Sequence, residues 1–185
     1  KARLVLFSVQ GINEEGSYGF LLSIYEKPQD LDAGQVFYTG AGLVLDPVTE
    51  EERDAYLEET GKEEAVNLFR LTAQQVNDYL QYRAGISADA LSKRPDWVYL
   101  EAYDAYYMCH GDEETNLCTF EVTDAAVQGD YYRVHYRAMR EAGDLDGWYI
   151  PVYEAILKKN GDTYRFCANR LWMERDLLLQ PYCKM

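Results

Sequence analysis

A chain of 185 residues with 18 Lys+Arg against 32 Asp+Glu carries a formal net charge of −14 at pH 7. Such a surface repels polyanions, which excludes nucleic acid and anionic membrane surfaces as partners. At 48 % hydrophobic residues there is apolar material for a core, and the length fits one domain, 1–185, with a division into 1–94 and 95–185 as the alternative.

The chain opens at Lys1 in a strand-like run over residues 2–9, without an initiator methionine. That start reads as a boundary within a longer chain, so membrane attachment is expected only through a removed N-terminal anchor. Segments 18–25 and 35–45 are rich in apolar, β-branched and aromatic residues and broken by Gly and Pro, and they read as further strands. Asp46-Pro47 then opens a helical region, with Thr49 and Glu52 as an alternative capping box, an acid-rich body over 50–59 and an end near Gly61. Thr72 and Gln75 repeat the capping-box spacing for the next helix. Leu71 and Val76 form its hydrophobic staple, and Gly85 is its terminator. Ser87 caps a short turn running to Leu91. After Pro95, the 3–4 spacing of Trp97, Leu100, Tyr103 and Tyr107 predicts a third helix bearing an aromatic stripe.

From Cys118 the pattern turns to strands over 118–122, 130–138, 148–158 and 163–169. Asn160-Gly161 between two alternating runs predicts a two-residue type I′ hairpin that sets Leu157 opposite Tyr164 and Ala155 opposite Phe166. Alternation also places Tyr132, Val134 and Tyr136 on one strand face and Arg133, His135 and Arg137 on the other. That basic stripe either receives an anionic ligand or pairs with neighbouring acids. The expected class is α+β: N-terminal strands, central helices and a C-terminal antiparallel meander.

Residues 106–118 carry the densest chemistry, with His110 among Asp112, Glu113 and Glu114 and between Cys109 and Cys118. Adjacent Cys109 and His110 seldom reach one metal and no CxxC pair is present, so no metal site and no cofactor are expected. Four cysteines, even in number, favour disulfides in an oxidising compartment. Cys109 with Cys118 would close a short loop, and Cys167 with Cys183 are the remaining candidates. Seventeen tyrosines against six phenylalanines supply apolar faces with a hydroxyl that seeks a partner, which suits interfaces. Tyr103, Tyr106, Tyr107 and His110 are therefore the candidate ligand-binding residues. The alternative is a hydrolase, with cell-wall material as a candidate substrate, using His110 and Asp112.

The runs Tyr103-Asp104-Ala105-Tyr106-Tyr107-Met108-Cys109-His110-Gly111-Asp112 and Asn160-Gly161-Asp162-Thr163-Tyr164-Arg165-Phe166 resemble uncharacterised exported proteins and lipoproteins of Gram-positive gut bacteria, over roughly the last hundred residues. The resemblance implies an extracytoplasmic domain, secreted or anchored at the cell surface, and assigns no catalytic residue. Together these readings point to a non-enzymatic module that recognises a protein, peptide or glycan through a tyrosine-rich surface.

Overall fold

The fold is α+β, and the computed structural model describes residues 15–38, 40–109, 119–139 and 151–172. The expected strand over 2–9 lies outside these residues. Residues 18–25, expected as a strand, are instead mostly the helix α1 (Glu15–Leu22). Ser17, Tyr18, Phe20 and Leu21 are all buried, so burial extends around the helix rather than along one stripe. A short continuous apolar run has no period to separate a buried helix from a buried strand. Residues 35–45 are corrected in the same way. Asp32 caps α2 (Ala33–Phe37) by accepting the Gln35 N–H at 3.2 Å, which turns the chain helical where the apolar run begins.

Both capping boxes form, and the helix expected to open at Asp46-Pro47 starts instead at its alternative, Thr49, because that side chain and Glu52 satisfy the first-turn N–H groups. Thr49 and Glu52 start α3 (Glu50–Thr60), which ends on Gly61 at φ 65°. Thr72 and Gln75 start α4 (Ala73–Arg83), with Gly85 at φ 73° just beyond its end. The short helical turn Ala88–Ala90 follows Ser87.

The third expected helix is absent. Its residues form β2 (Val98–Leu100), a 3₁₀ turn Glu101–Tyr103 and β3 (Ala105–Cys109). Asp104 between them sits at φ 47°, a left-handed conformation that an α-helix cannot continue through. With β1 (Leu68–Thr72), these strands make an antiparallel sheet in the order β1-β3-β2. The central strand β3 pairs on both sides, so sheet hydrogen bonds replace the helical ladder. Its alternation decides the faces: Ala105 and Tyr107 are buried against α3 in a small core with Tyr56 and Leu100, while Tyr106 packs toward the main core.

The C-terminal half is a four-stranded antiparallel meander of β4 (Thr119–Gln128), β5 (Tyr131–Met139), β6 (Val152–Asn160) and β7 (Thr163–Trp172). The β6–β7 hairpin is present with a shifted loop. Asn160 pairs with Thr163, so Gly161-Asp162 is the connection, and Leu157 faces Phe166 where Tyr164 was expected. Positive φ falls on Gly161 alone, at 61°. That is the first central position, the one a type II′ loop reserves for glycine. A shift of two in the pairing keeps the inward parity, and Leu157 and Phe166 are both buried. Cys167 is then an extra residue in a bulge, which brings Asn169, not Phe166, opposite Ala155 and changes the face that follows.

The inner face of the meander carries Phe120, Val134, Tyr136, Ala155, Leu157 and Phe166, and it packs with α1, α2 and α4 into the main core. Asn169 fastens these layers. Its backbone exchanges two 2.8 Å hydrogen bonds with Tyr25. Its side chain donates to the carbonyls of Leu21 at 3.1 Å and Ser23 at 2.7 Å, and accepts from the Tyr136 hydroxyl at 2.8 Å.

Candidate functional site

The residues expected to form one tyrosine surface separate in three dimensions. Tyr107 is fully buried and its hydroxyl donates to Glu52 Oε1 at 2.7 Å. Glu52 also accepts from Arg70 at 3.0 Å and from the Thr49 N–H at 2.8 Å, so this cluster locks α3 onto the β1-β3-β2 sheet. Burial alone would raise the Glu52 carboxyl; hydrogen bonds from Thr49 and Tyr107 with the Arg70 charge outweigh it and hold the carboxyl below its ordinary value. Tyr103 is exposed and lies edge-on to Tyr107, at 6.5 Å between ring centres. His110, Asp112, Cys118 and Cys183 lie outside the described residues. Cys109 and Cys167 are each half-buried and form no disulfide among the described residues.

Tyr106 does reach a concave site. A cleft of about 340 Å³ opens between the first turns of α4, the 88–95 segment and the β2–β3 hairpin. Tyr99, which is not among the expected ligand-binding residues, stands at its rim, 41 % exposed, with its ring tilted 49° against Tyr106 at 4.9 Å. The two tyrosines are directly opposite in the β2–β3 register. The Tyr99 hydroxyl donates to Asp104 Oδ1 at 2.6 Å, which orients both groups and raises the tyrosine pKa. Asp104 is held by its own backbone: its N–H donates to Glu101 and its carbonyl accepts from Ala73 at the start of α4.

The opposite wall is polar. Asn77 on α4 lines the cleft and accepts the Ala88 N–H at 3.1 Å through Oδ1, which pins the 88–90 turn. Gln74 is steadied by Asp78 at 2.7 Å. Asp89 and Arg94 complete the lining, both exposed. Among the described residues neither has a protein partner, and the second oxygen of Asp104 has none either. The arrangement offers an aromatic face bordered by planar hydrogen-bonding groups of both polarities.

A second polar cluster crosses the outer face of the meander. In register, Asp124, His135, Glu154 and Arg170 stand directly opposite one another on β4, β5, β6 and β7. Glu154 is 0 % exposed and receives Arg170 Nε at 2.9 Å and Nη2 at 2.5 Å, with His135 Nε2 at 3.1 Å and Arg133 at 3.8 Å. Trp172 stacks on His135 at 4.4 Å. Burial pushes the Glu154 carboxyl up, but the Arg170 and His135 hydrogen bonds and the charges of Arg170 and Arg133 hold it below its ordinary value. Arg133 and His135 of the basic stripe on β5 are therefore engaged by acids of the neighbouring strands. Of the tryptophans, Trp97 packs against Phe37, and Trp148 lies outside the described residues. Among the described residues no three His, Cys, Asp or Glu side chains converge as a metal site.

Comparison of the chain with protein-family models, curated proteins and solved structures finds no match.

Proposed function

We propose that this protein is a non-enzymatic extracytoplasmic binding module, and that the Tyr99–Tyr106 cleft is where it holds a protein, peptide or glycan. The observation that carries the reading is the cleft itself: an exposed aromatic face beside Asp89, Arg94 and the second carboxylate oxygen of Asp104, which have no protein partner among the described residues. Sites of this kind pair apolar surface with a few placed polar groups. Its volume of about 340 Å³ falls near the lower end of the usual range for small-ligand sites, roughly 300–1,000 Å³. A non-enzymatic role is supported by where the buried carboxylates are. Glu52 and Glu154, the two buried acids among the described residues, are both held by arginine and are not among the residues lining the cleft, whereas a carboxyl that serves as general acid is one raised by desolvation at the reacting group. The even cysteine count and the resemblance noted above support an extracytoplasmic setting.

The test is a fragment titration of the isotope-labelled protein followed by amide chemical shifts. Hits that move Gln74, Asn77, Tyr99 and Tyr106 together support the site. Hits that gather on another face, such as the outer side of the meander, overturn it.

A further inference from the structure

We propose that the cleft ligand is an uncharged saccharide, with one sugar ring laid on Tyr99 and its hydroxyls read by Asp104, Asn77, Asp89 and Arg94. The inference rests on the binding-module reading above and names its ligand class.

The rings argue first. Tyr99 and Tyr106 touch, at 4.9 Å between centres, so no ammonium group fits between their faces as in an aromatic cage. What remains is the outer face of Tyr99, a flat apolar platform. A pyranose presents a matching face of C–H groups, with hydroxyls projecting around its edge. Those hydroxyls both donate and accept, so they need planar partners of both kinds at the rim. Asp104 and Asp89 accept only, the Arg94 guanidinium donates only, and the Asn77 amide nitrogen donates. The Tyr99–Asp104 hydrogen bond of 2.6 Å fixes one acceptor beside the platform before any ligand arrives, which lowers the ordering cost of binding.

Charge and shape weigh against the other classes. An anionic ligand meets Asp89 and Asp104 in a chain of net charge −14. A peptide anchored by an apolar side chain finds only Ala73, Ala88 and Pro95 besides the tyrosines. A peptide added as a strand finds only the three residues of β2, Val98–Leu100, along the adjoining sheet edge.

The experiment is calorimetric titration of the full chain with neutral hexasaccharides of glucose, xylose, mannose and N-acetylglucosamine, alongside a lysine-rich hexapeptide. The expected result is saturable binding of at least one saccharide, with little change between about 0.05 and 0.5 M salt because no ion pair forms. Tyr99→Ala weakens that binding roughly tenfold or more, Asp104→Asn weakens it several-fold, and Tyr99→Phe keeps most of it. Tyr99 and Asp104 are exposed, so circular dichroism and thermal melting are expected to match the parent and confirm that the variants fold. Peptide binding that depends on Tyr99 and fades with salt would overturn the saccharide while leaving the cleft a binding site. Saccharide binding indifferent to Tyr99 and Asp104 overturns this assignment. Absence of any cleft-dependent binding, with the fragment hits also elsewhere, overturns both readings.

Discussion

Glu154 shows how much one side chain can hold. Its carboxylate is buried on the outer face of a sheet and joined to Arg170, His135 and Arg133. Removing one partner of a buried pair leaves uncompensated charge, which costs about 3–5 kcal/mol. Glu154→Gln leaves behind arginines that are themselves 38 % and 49 % exposed, so it is expected to lower unfolding stability by less, about 1–3 kcal/mol, measured by urea denaturation near neutral pH. The sign of the pH dependence follows from the lowered carboxyl pKa. The contribution is complete above the ordinary value of 4.5 and is lost as pH falls through the lower folded value. The parent protein therefore loses stability on acidification below that ordinary value, and Glu154→Gln flattens this limb. Glu52, lowered in the same way, keeps a residual slope in the variant. In the sequence, alternation only places Glu154 on one face of its strand. Its burial depends on the register that sets it between His135 and Arg170.

At the scale of elements, local signals were reliable wherever chemistry within four residues fixed the backbone. Both capping boxes formed because the side chain and the N–H groups it satisfies lie in one turn. Thr72→Ala is expected to destabilise by about 1 kcal/mol in thermal or urea unfolding, since it leaves the first turn of α4 uncapped. The helices α1 and α2 depend on a contact no periodicity reveals. A Cβ on Gly19 would lie 2.4 Å from the Val36 Cα and 2.7 Å from the Gln35 carbonyl oxygen. Backbone cannot yield as a flexible side chain would, so Gly19→Ala is expected to cost about 1–3 kcal/mol by overpacking, read as a lowered urea midpoint. A result within experimental error of the parent would mean that the two helices can separate at no cost. The stripe of residues 97–107 failed as a helix because 3–4 spacing and alternation overlap in so short a run. Asp104 at φ 47° and two strands able to pair with β3 settled it. The hairpin was recognised from Asn160-Gly161, but its loop moved one residue on because only Gly161 takes positive φ.

At the scale of the whole molecule, Asn169 carries the join between the N-terminal helices and the meander. Its amide satisfies Leu21, Ser23 and Tyr136 at once. Asn169→Ala removes the donor to the buried Ser23 carbonyl, whereas the Tyr136 hydroxyl still donates to the Leu21 carbonyl at 2.7 Å. We expect a loss of roughly 1–3 kcal/mol, with both core clusters unfolding together in a single transition by far-ultraviolet circular dichroism and tyrosine fluorescence. A separate early loss of helix signal would show that the layers are held by apolar packing alone. The cleft also exists only at this scale. Gln74, Asp89, Tyr99 and Tyr106 are dispersed in sequence, and α4, the 88–95 segment and the β2–β3 hairpin bring them to one place.

The sequence by itself determined the α+β class, both capping boxes, the existence of the last hairpin and the inward face of β5. Each follows from interactions within a turn or from a two-residue period, and neither needs distant partners. Only tertiary structure decided that the segments around α1 and α2 are helical, that Tyr107 is core while Tyr99 is rim, and that Glu154 is buried. Those outcomes depend on which surfaces meet. An apolar or aromatic run can satisfy its backbone as helix or strand, and long-range pairing supplies the difference in free energy.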